Sequence, residues 1–468
     1  MDPDQFDLVV VANRLPVDAS LDDDGTVTWR RSPGGLVAAL EPALSAGGAW
    51  VGWPGAVDLD LGPFEVEGIA LVPVPLSETE LAEYYEGFSN ATIWPLYHDV
   101  ITPPGYHREW AEAYRTVNRR FAHAAARAAA PGATVWVHDY QLQLVPRMLR
   151  SLRPDVKIGY FLHIPFPGVD LFAQLPWRRE ILEGVLGADL IGFQRAGDAS
   201  NFRRAVRRLA GLATHGTAIQ VTPVAGPPRT VRAEPFPISI DFAGLDAAAQ
   251  RPEIQRRAAD IREELGNPRI VFFGADRLDY TKGIRHRLKA FGELIESGEL
   301  QVPGSILVQV ASPTRDNVVA YQELRDEVET TVGRINGDSG TLTQVAVQYL
   351  HQSQPFEEMV ALYLAADVLL VTALRDGMNL VAKEYVAACW DHGGVLVLSE
   401  FAGAADELAQ ALIVNPHDID ALKSAMLRAA SMPAAERRRR MRALRRRVKD
   451  RDVNYWASSF LSALKETK

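Results

Sequence analysis

RDGMNLVAKE, residues Arg375 to Glu384, follows the apolar run DVLLVTAL and leads into the helix-like VAKEYVAACW. The run reads as a buried strand, so the chain passes from strand to helix through a short polar loop. In an open parallel sheet, ligands sit in the crevice beyond the carboxyl ends of the strands, and the free N–H groups of the next helix attract anions. Asp376 and Asn379 can hydrogen-bond hydroxyls, Gly377 lets a ligand approach the backbone, and Glu384 on the first turns of the helix can grip a vicinal diol. Taken singly, each residue fits a plain loop, a helix cap and a solvated glutamate. As a group they suit a sugar nucleotide.

The same strand-then-helix alternation runs through most of the chain and marks an α/β protein with parallel sheets. Strands are expected at LVVVA (from Leu8), IALVPV (from Ile69), TVWVH (from Thr134), KIGYFLH (from Lys157) and DLIGF (from Asp189) in the first half. In the second half they are expected at RIVFFGA (from Arg269), SILVQVA (from Ser305), VAVQYL (from Val345), DVLLVTA, GVLVLS (from Gly394) and ALIVN (from Ala411). At 468 residues the chain exceeds what one core usually organises. We therefore expect two doubly wound, Rossmann-like domains facing across a cleft, divided near Pro237 into residues 1–237 and 238–450. The last residues, 451–468, contain the amphipathic NYWASSFLSALKE, which is expected to pack back toward the N-terminal domain.

Composition excludes several classes. Hydrophobic residues make up 47% and charged residues 23%, and no apolar stretch approaches a membrane span. A net charge of −9 argues against general affinity for nucleic acid. MDPDQFDLVVVANR carries no basic region ahead of an apolar run, so no signal peptide is visible and a cytoplasmic protein is expected. Cys389, the single cysteine, lies in an apolar helical pattern and reads as a buried structural thiol. Asp22, Asp23 and Asp24 before Gly25 read as a hairpin turn, not a metal site. The run ERRRRMRALRRRVKD from Glu436 reads as a solvated helix, with Met441, Leu444 and Val448 on its other face. The ten histidines show no HxxxH or HExxH spacing.

Further polar groups fall at strand ends. DRLDYTKGI follows RIVFFGA and puts Arg277 and Lys282 where a pyrophosphate would be held by charge-assisted hydrogen bonds; surface pairing with Asp276 and Asp279 is the plainer alternative. Arg14 lies just past the first strand, and Gly34 and Gly35 precede a helix, as phosphate loops or as simple turns do. VWVHDYQ ends a strand with His138 and Asp139, and GYFLHIPFP ends another with His163, in a position for substrate contact or for a structural role.

Together, ANRLP, PGGL, YYEGFSNATIWPLYH, VHDYQLQLVP, FLHIPFP, RLDYTKG, TRDNVVAYQ and RDGMNLVAKEYV resemble, in this order, the trehalose-6-phosphate synthases. These are retaining GT-B glycosyltransferases that join glucose from a nucleotide sugar to glucose 6-phosphate. The likeness spans roughly Leu8 to Leu464; Ala12, Thr281 and Ala373 depart from the usual Ser, Ser and Pro, and the fused phosphatase-like extension of some relatives is not expected here. By motif position the resemblance implies a donor site of Gly34, Gly35, Arg277, Lys282, Gln354, Asp376, Gly377, Met378, Asn379, Leu380, Val381, Ala382, Lys383 and Glu384. In it Arg277 and Lys282 face the phosphates, Glu384 the ribose, and the backbone near Gln354 the nucleobase. The acceptor's phosphate falls to Arg14, Tyr85 and Arg315, its hydroxyls to Asp139, and a wall of the pocket to Trp94. Trp94 and His163 would select the anomer, and Arg277, Lys282, Asp139, His163 and Asp376 are the implied catalytic set. No cofactor and no metal are implied, and relatives are often homotetramers. The motifs contain no carboxylate placed as a nucleophile, which favours front-face transfer over a glycosyl-enzyme. Two rival readings stay open: a retaining transferase with another acceptor, and an inactive sugar-phosphate sensor. A dinucleotide oxidoreductase is a poor third, since no GxGxxG follows the first strand.

Overall fold

The computed structural model describes residues 5–21, 27–31, 40, 44, 47–222, 228–315 and 318–467. The chain forms two compact units, one of Met1–Ile238 with Asn454–Lys468 and one of Ser239–Val453.

In the first unit the strands are β1 (Phe6–Arg14), β2 (Val17–Leu21), β3 (Val27–Arg31), β4 (Ala49–Trp53), β5 (Phe64–Val66) and β6 (Ile69–Pro73). They are followed by β7 (Ala129–His138), β8 (Lys157–Leu162), β9 (Leu190–Phe193), β10 (Thr214–His215), β11 (Ala218–Val221) and β12 (Arg229–Pro235). Among the described residues one sheet runs β10-β11-β12-β9-β8-β7-β1-β4-β6-β5. From β12 to β6 its neighbours are parallel; β5 at one edge and the β10–β11 ribbon at the other join antiparallel. The central strands are buried on both faces: Val9, Val10 and Val11 have no exposure, hence the unbroken apolar run. The helix Arg108–Ala128 covers the sheet with Tyr114, Val117, Phe121 and Ala125, which share one helical face. β2 and β3 form a separate antiparallel ribbon, with Leu21 opposite Val27; the turn expected at Asp22–Gly25 lies outside the described residues.

The last helix, Val453–Lys465, completes this unit. Trp456, Phe460 and Leu464, four residues apart, are buried. Phe460 stacks on Trp136 of β7, ring centroids 4.6 Å apart and planes 7° from parallel. Gly159 and Gly192 admit that ring, because a Cβ at either would stand 2.7 or 2.8 Å from it. Lys157 ties down the end by donating to the Thr467 carbonyl.

The second unit carries β13 (Ile270–Arg277), β14 (Ser305–Ser312), β15 (Val347–Leu350), β16 (Val368–Val371), β17 (Val395–Ser399) and β18 (Leu412–Val414). Their order is β15-β14-β13-β16-β17-β18, parallel throughout. Reversal of strand order at β13 and β16 makes that pair the switch point, where open α/β sheets bind ligands. The arginine-rich run is the helix Ala434–Asp450, buried through Met441, Leu444 and Val448. Cys389 is buried, and burial pushes its thiol up to about 12.

Candidate active site

The switch point of the second unit gathers most of the expected donor residues. Arg277 ends β13 and is exposed. The chain then makes a single turn at Tyr280–Lys282, capped by Asp279, whose Oδ1 accepts from the Thr281 N–H at 2.9 Å. Lys282 comes out of this turn almost enclosed, with Nζ 2.7 Å from Oδ2 of Asp376 beyond β16. Thus the two loops of the switch point are joined by one ion pair. Asn379 adds a second bond to the same Oδ2 at 3.2 Å, while its Oδ1 accepts from the Ala382 N–H at 3.0 Å and caps the helix Leu380–Ala388. The free N–H groups of that helix therefore open beside the Lys282–Asp376 pair.

The loop itself is shaped from below. Asp376 N–H donates to the Phe401 carbonyl at 3.1 Å, and the Ala404 N–H donates to the Met378 carbonyl at 2.8 Å. Gly403 has to be glycine for this: a Cβ would lie 1.9 Å from the Gly377 carbonyl oxygen. Gly377, Met378 and Ala382 are buried, and Leu380 and Val381 are partly exposed on the first helical turn. Glu384 accepts from the Tyr363 hydroxyl at 2.7 Å; burial raises its pKa, opposed by that bond. Lys383 is turned to Glu407, its Nζ 2.6 Å from the carboxylate in a nearly enclosed pair. Gln354 lies on the partly exposed loop before the helix Phe356–Ala365. Gly34 and Gly35 lie outside the described residues.

Two further arginines build the surroundings. Arg287 has no exposure and binds Asp276 at 2.8 Å, Gln309 at 2.6 Å and Thr372 at 3.2 Å, tying β13, β14 and the end of β16 together. Arg315, at φ 53°, donates to Asp279 Oδ2 at 3.2 Å and to the Tyr321 hydroxyl, and its guanidinium lies over the Tyr321 ring at 5.4 Å. Burial alone would raise the Asp279 pKa, yet Arg315, Lys282 and Arg277 outweigh it and hold the carboxylate at about 2. Asp276 and Asp279 thus neutralise Arg287 and Arg315.

In the first unit, Arg14 at the end of β1 pairs with Asp18 and lies over the Trp53 ring at 4.7 Å. Trp53 in turn neighbours Tyr85, ring centroids 6.2 Å apart. Trp53 is a missed member of this group; AWVGWP carries a tryptophan at the end of a short strand, the same signal that singled out the strand-end histidines. Trp94 is buried 5.5 Å from Tyr140 and 4.2 Å from His98, ring to ring. Asp139 and His163 meet across the ends of β7 and β8, where Asp139 Oδ1 accepts from the His163 N–H at 3.1 Å. His138 and His163 touch through ring nitrogens 3.0 Å apart. Burial depresses both, His163 to about 3. Tyr363 and Arg287 were also missed, since nothing in local spacing announces which distant group a buried side chain meets.

Among the described residues, no helix is long and apolar enough to cross a membrane, and no group of three or more His, Cys, Asp or Glu is placed to hold a metal ion.

The model of glycosyltransferase family 20 matches residues 6–466. A trehalose-6-phosphate synthase of Mycobacterium avium is 58% identical over 470 residues, covering 98% of this chain and 96% of its own. A UDP-forming α,α-trehalose-phosphate synthase of Burkholderia xenovorans, solved with glucose 6-phosphate, is 35% identical with a TM-score of 0.89, over 98% of this chain and 99% of its own. The Escherichia coli protein solved with UDP-2-fluoroglucose is 36% identical with the same TM-score and the same coverage. With a family model and relatives that span nearly the whole chain, and with a shared fold of parallel α/β sheets, the chain belongs to glycosyltransferase family 20, the family of the trehalose-6-phosphate synthases.

Proposed function

We propose that this protein transfers glucose from a nucleotide-glucose, UDP-glucose foremost and ADP- or GDP-glucose as alternatives, to glucose 6-phosphate with retention, giving α,α-trehalose 6-phosphate. The observation that carries the reading is the ion pair of Lys282 with Asp376 at the switch point, beside Arg277 and the start of the helix Leu380–Ala388. Support for the two substrates comes from the glucose 6-phosphate and UDP-2-fluoroglucose bound by the Burkholderia and E. coli relatives.

In this reading Arg277 and Lys282 bind the pyrophosphate, each charge-assisted bond contributing about 1.5–3 kcal/mol, and neutralise the charge that grows on the leaving nucleotide. Asp376 orients Lys282 and, with Asn379, meets donor hydroxyls; Glu384, held by Tyr363, takes the ribose diol. Arg14, Tyr85 and Arg315 take the acceptor's phosphate, Asp139 its hydroxyls, and Trp94 and His163 set the anomeric geometry. The carboxylates are engaged: Asp139 by the His163 amide, Asp376 by Lys282, Glu384 by Tyr363. That favours a single front-face step over a glycosyl-enzyme. The bond from C1 to the phosphate oxygen breaks, the acceptor oxygen bonds C1 on the same face, and its proton passes to the departing phosphate oxygen. Positioning and fixed charge supply the catalysis, with the two cations in the place of a metal. A cytoplasmic homotetramer is part of the same reading.

The test is a panel of nucleotide-glucose donors with glucose 6-phosphate, followed by NMR of the product's anomeric protons. Formation of α,α-trehalose 6-phosphate is expected; an unphosphorylated or polymeric acceptor used in preference would overturn the assignment. Lys282→Ala is expected to lower kcat by about 10²–10³-fold with the fold retained by circular dichroism. Arg315→Ala is expected to raise KM for glucose 6-phosphate more than for the donor, and the reverse would mean that the subsites are exchanged.

A further inference from the structure

His163 has both ring nitrogens engaged inside the first unit. Nε2 lies 3.0 Å from Nδ1 of His138, and Nδ1 lies 3.3 Å from Nε2 of Gln194. The direction of these bonds follows from the far end of the chain of contacts. The backbone N–H of Ile238 meets Oε1 of Gln194 at 2.9 Å. A peptide N–H only donates, so that oxygen accepts and the amide nitrogen is the atom turned to His163. An amide nitrogen also only donates, which makes His163 Nδ1 the acceptor. Burial keeps both imidazoles neutral at ordinary pH, so each carries one proton. The proton of His163 is therefore on Nε2, and it is given to Nδ1 of His138. The His138 proton is left on its Nε2, a buried atom with no hydrogen-bond partner among the described residues. The sequence of donors is thus Ile238, Gln194, His163, His138, every link set by the first.

The surroundings hold the rings in that order. Trp456 of the last helix packs against both imidazoles, with ring centroids 6.4 Å from His138 and 6.1 Å from His163. Asp139 fixes the His163 backbone. The opposite arrangement needs Gln194 to turn its oxygen toward His163, which would leave the Ile238 N–H facing an amide nitrogen.

We propose that Gln194 and His138 are positioning residues that lock His163 as the neutral Nε2–H tautomer, with the Ile238 amide setting the direction of the lock. The consequence for turnover rests on the reading above, in which His163 stands beside the transferred glucose. The imidazole then keeps its proton within the protein and serves the sugar as a fixed neutral wall, not as an acid.

The experiment uses the full chain labelled with ¹⁵N-histidine, with long-range ¹H–¹⁵N spectra at pH 7 and the His163 signals identified by their loss in His163→Asn. The expected wild-type spectrum shows His163 Nδ1 unprotonated and Nε2 protonated; a proton on Nδ1 overturns the proposal. Gln194→Glu keeps the size but replaces the donor by an acceptor, and is expected to bring a proton onto Nδ1. It is expected to lower kcat for glucosyl transfer by about tenfold or more while KM for both sugars stays within about twofold. An unchanged spectrum in Gln194→Glu overturns the lock, and an altered spectrum with unchanged kcat overturns its positioning role. Wild-type protein that shows the expected tautomer yet forms no trehalose 6-phosphate supports the lock and removes the functional reading instead.

Discussion

Asp139 holds φ 73° and ψ 173°, a region that glycine populates freely and other residues enter at about 1–3 kcal/mol. Its neighbours enforce it: the N–H donates to the Phe161 carbonyl at 2.7 Å, the carbonyl accepts from the Tyr160 hydroxyl at 3.0 Å, and Oδ1 holds the His163 amide. Strain here keeps the carboxylate at the mouth of β7 and β8. Asp139→Gly and Asp139→Ala both lose the carboxylate, so only the backbone term separates them. We expect the glycine variant to be the more stable by about 1–2 kcal/mol in urea denaturation, with both variants inactive; equal stabilities would show that the conformation is unstrained. A residue such as Asp139 is legible because it follows a strand and precedes a helix. Arg287 is not, because RHRLK has the look of a solvated helical face. Its burial depends on Gly274, thirteen positions away in the chain, where a Cβ would sit 2.0 Å from the guanidinium. No local spacing encodes that vacancy.

The loop of Asp376 to Asn379 was readable as a strand–helix junction, whereas the segment that shapes it, Phe401 to Ala404, was not. FAGA offers small residues without periodicity, and its role is to let two backbones touch. Gly403→Ala is expected to push the loop off the Phe401–Ala404 segment and loosen the Lys282–Asp376 pair, raising KM for the nucleotide sugar about tenfold with KM for glucose 6-phosphate little changed. Equal effects on both constants would argue for general unfolding. β4 escaped notice for a related reason. Its five residues contain Gly52, which reads as a strand breaker, yet a Cβ there would come within 2.7 Å of the Arg14 backbone. The helical stretch from Glu78 to Tyr97 was hidden by Gly87 in the same way, since that glycine accommodates the Trp110 indole. In each case a residue chosen for close packing imitates a turn signal.

The second unit is contiguous, Ser239–Val453, whereas the first takes its last helix from beyond it in the sequence. Trp456, Phe460 and Leu464 are among its buried side chains, and large apolar side chains contribute about 1.5–3 kcal/mol each. Deleting Asn454–Lys468 is therefore expected to cost the first unit about 5 kcal/mol or more, splitting thermal unfolding into two transitions with only one shifted down; a single unmoved transition would refute it. The alternation of strands and helices made both units legible, but the amphipathic pattern of NYWASSFLSALKE states only that the helix has a partner. The ring of Trp136 and the bare backbone at Gly159 and Gly192 identify which. A ribosome meets this architecture in an awkward order. The strip of β7, β8 and β9 that awaits Phe460 emerges early, and then roughly 260 residues are made, at about 5–20 residues per second, before its cover arrives. For about 13–52 s the nascent first unit carries an open apolar seam, so that its maturation waits on the synthesis of Val453–Lys465.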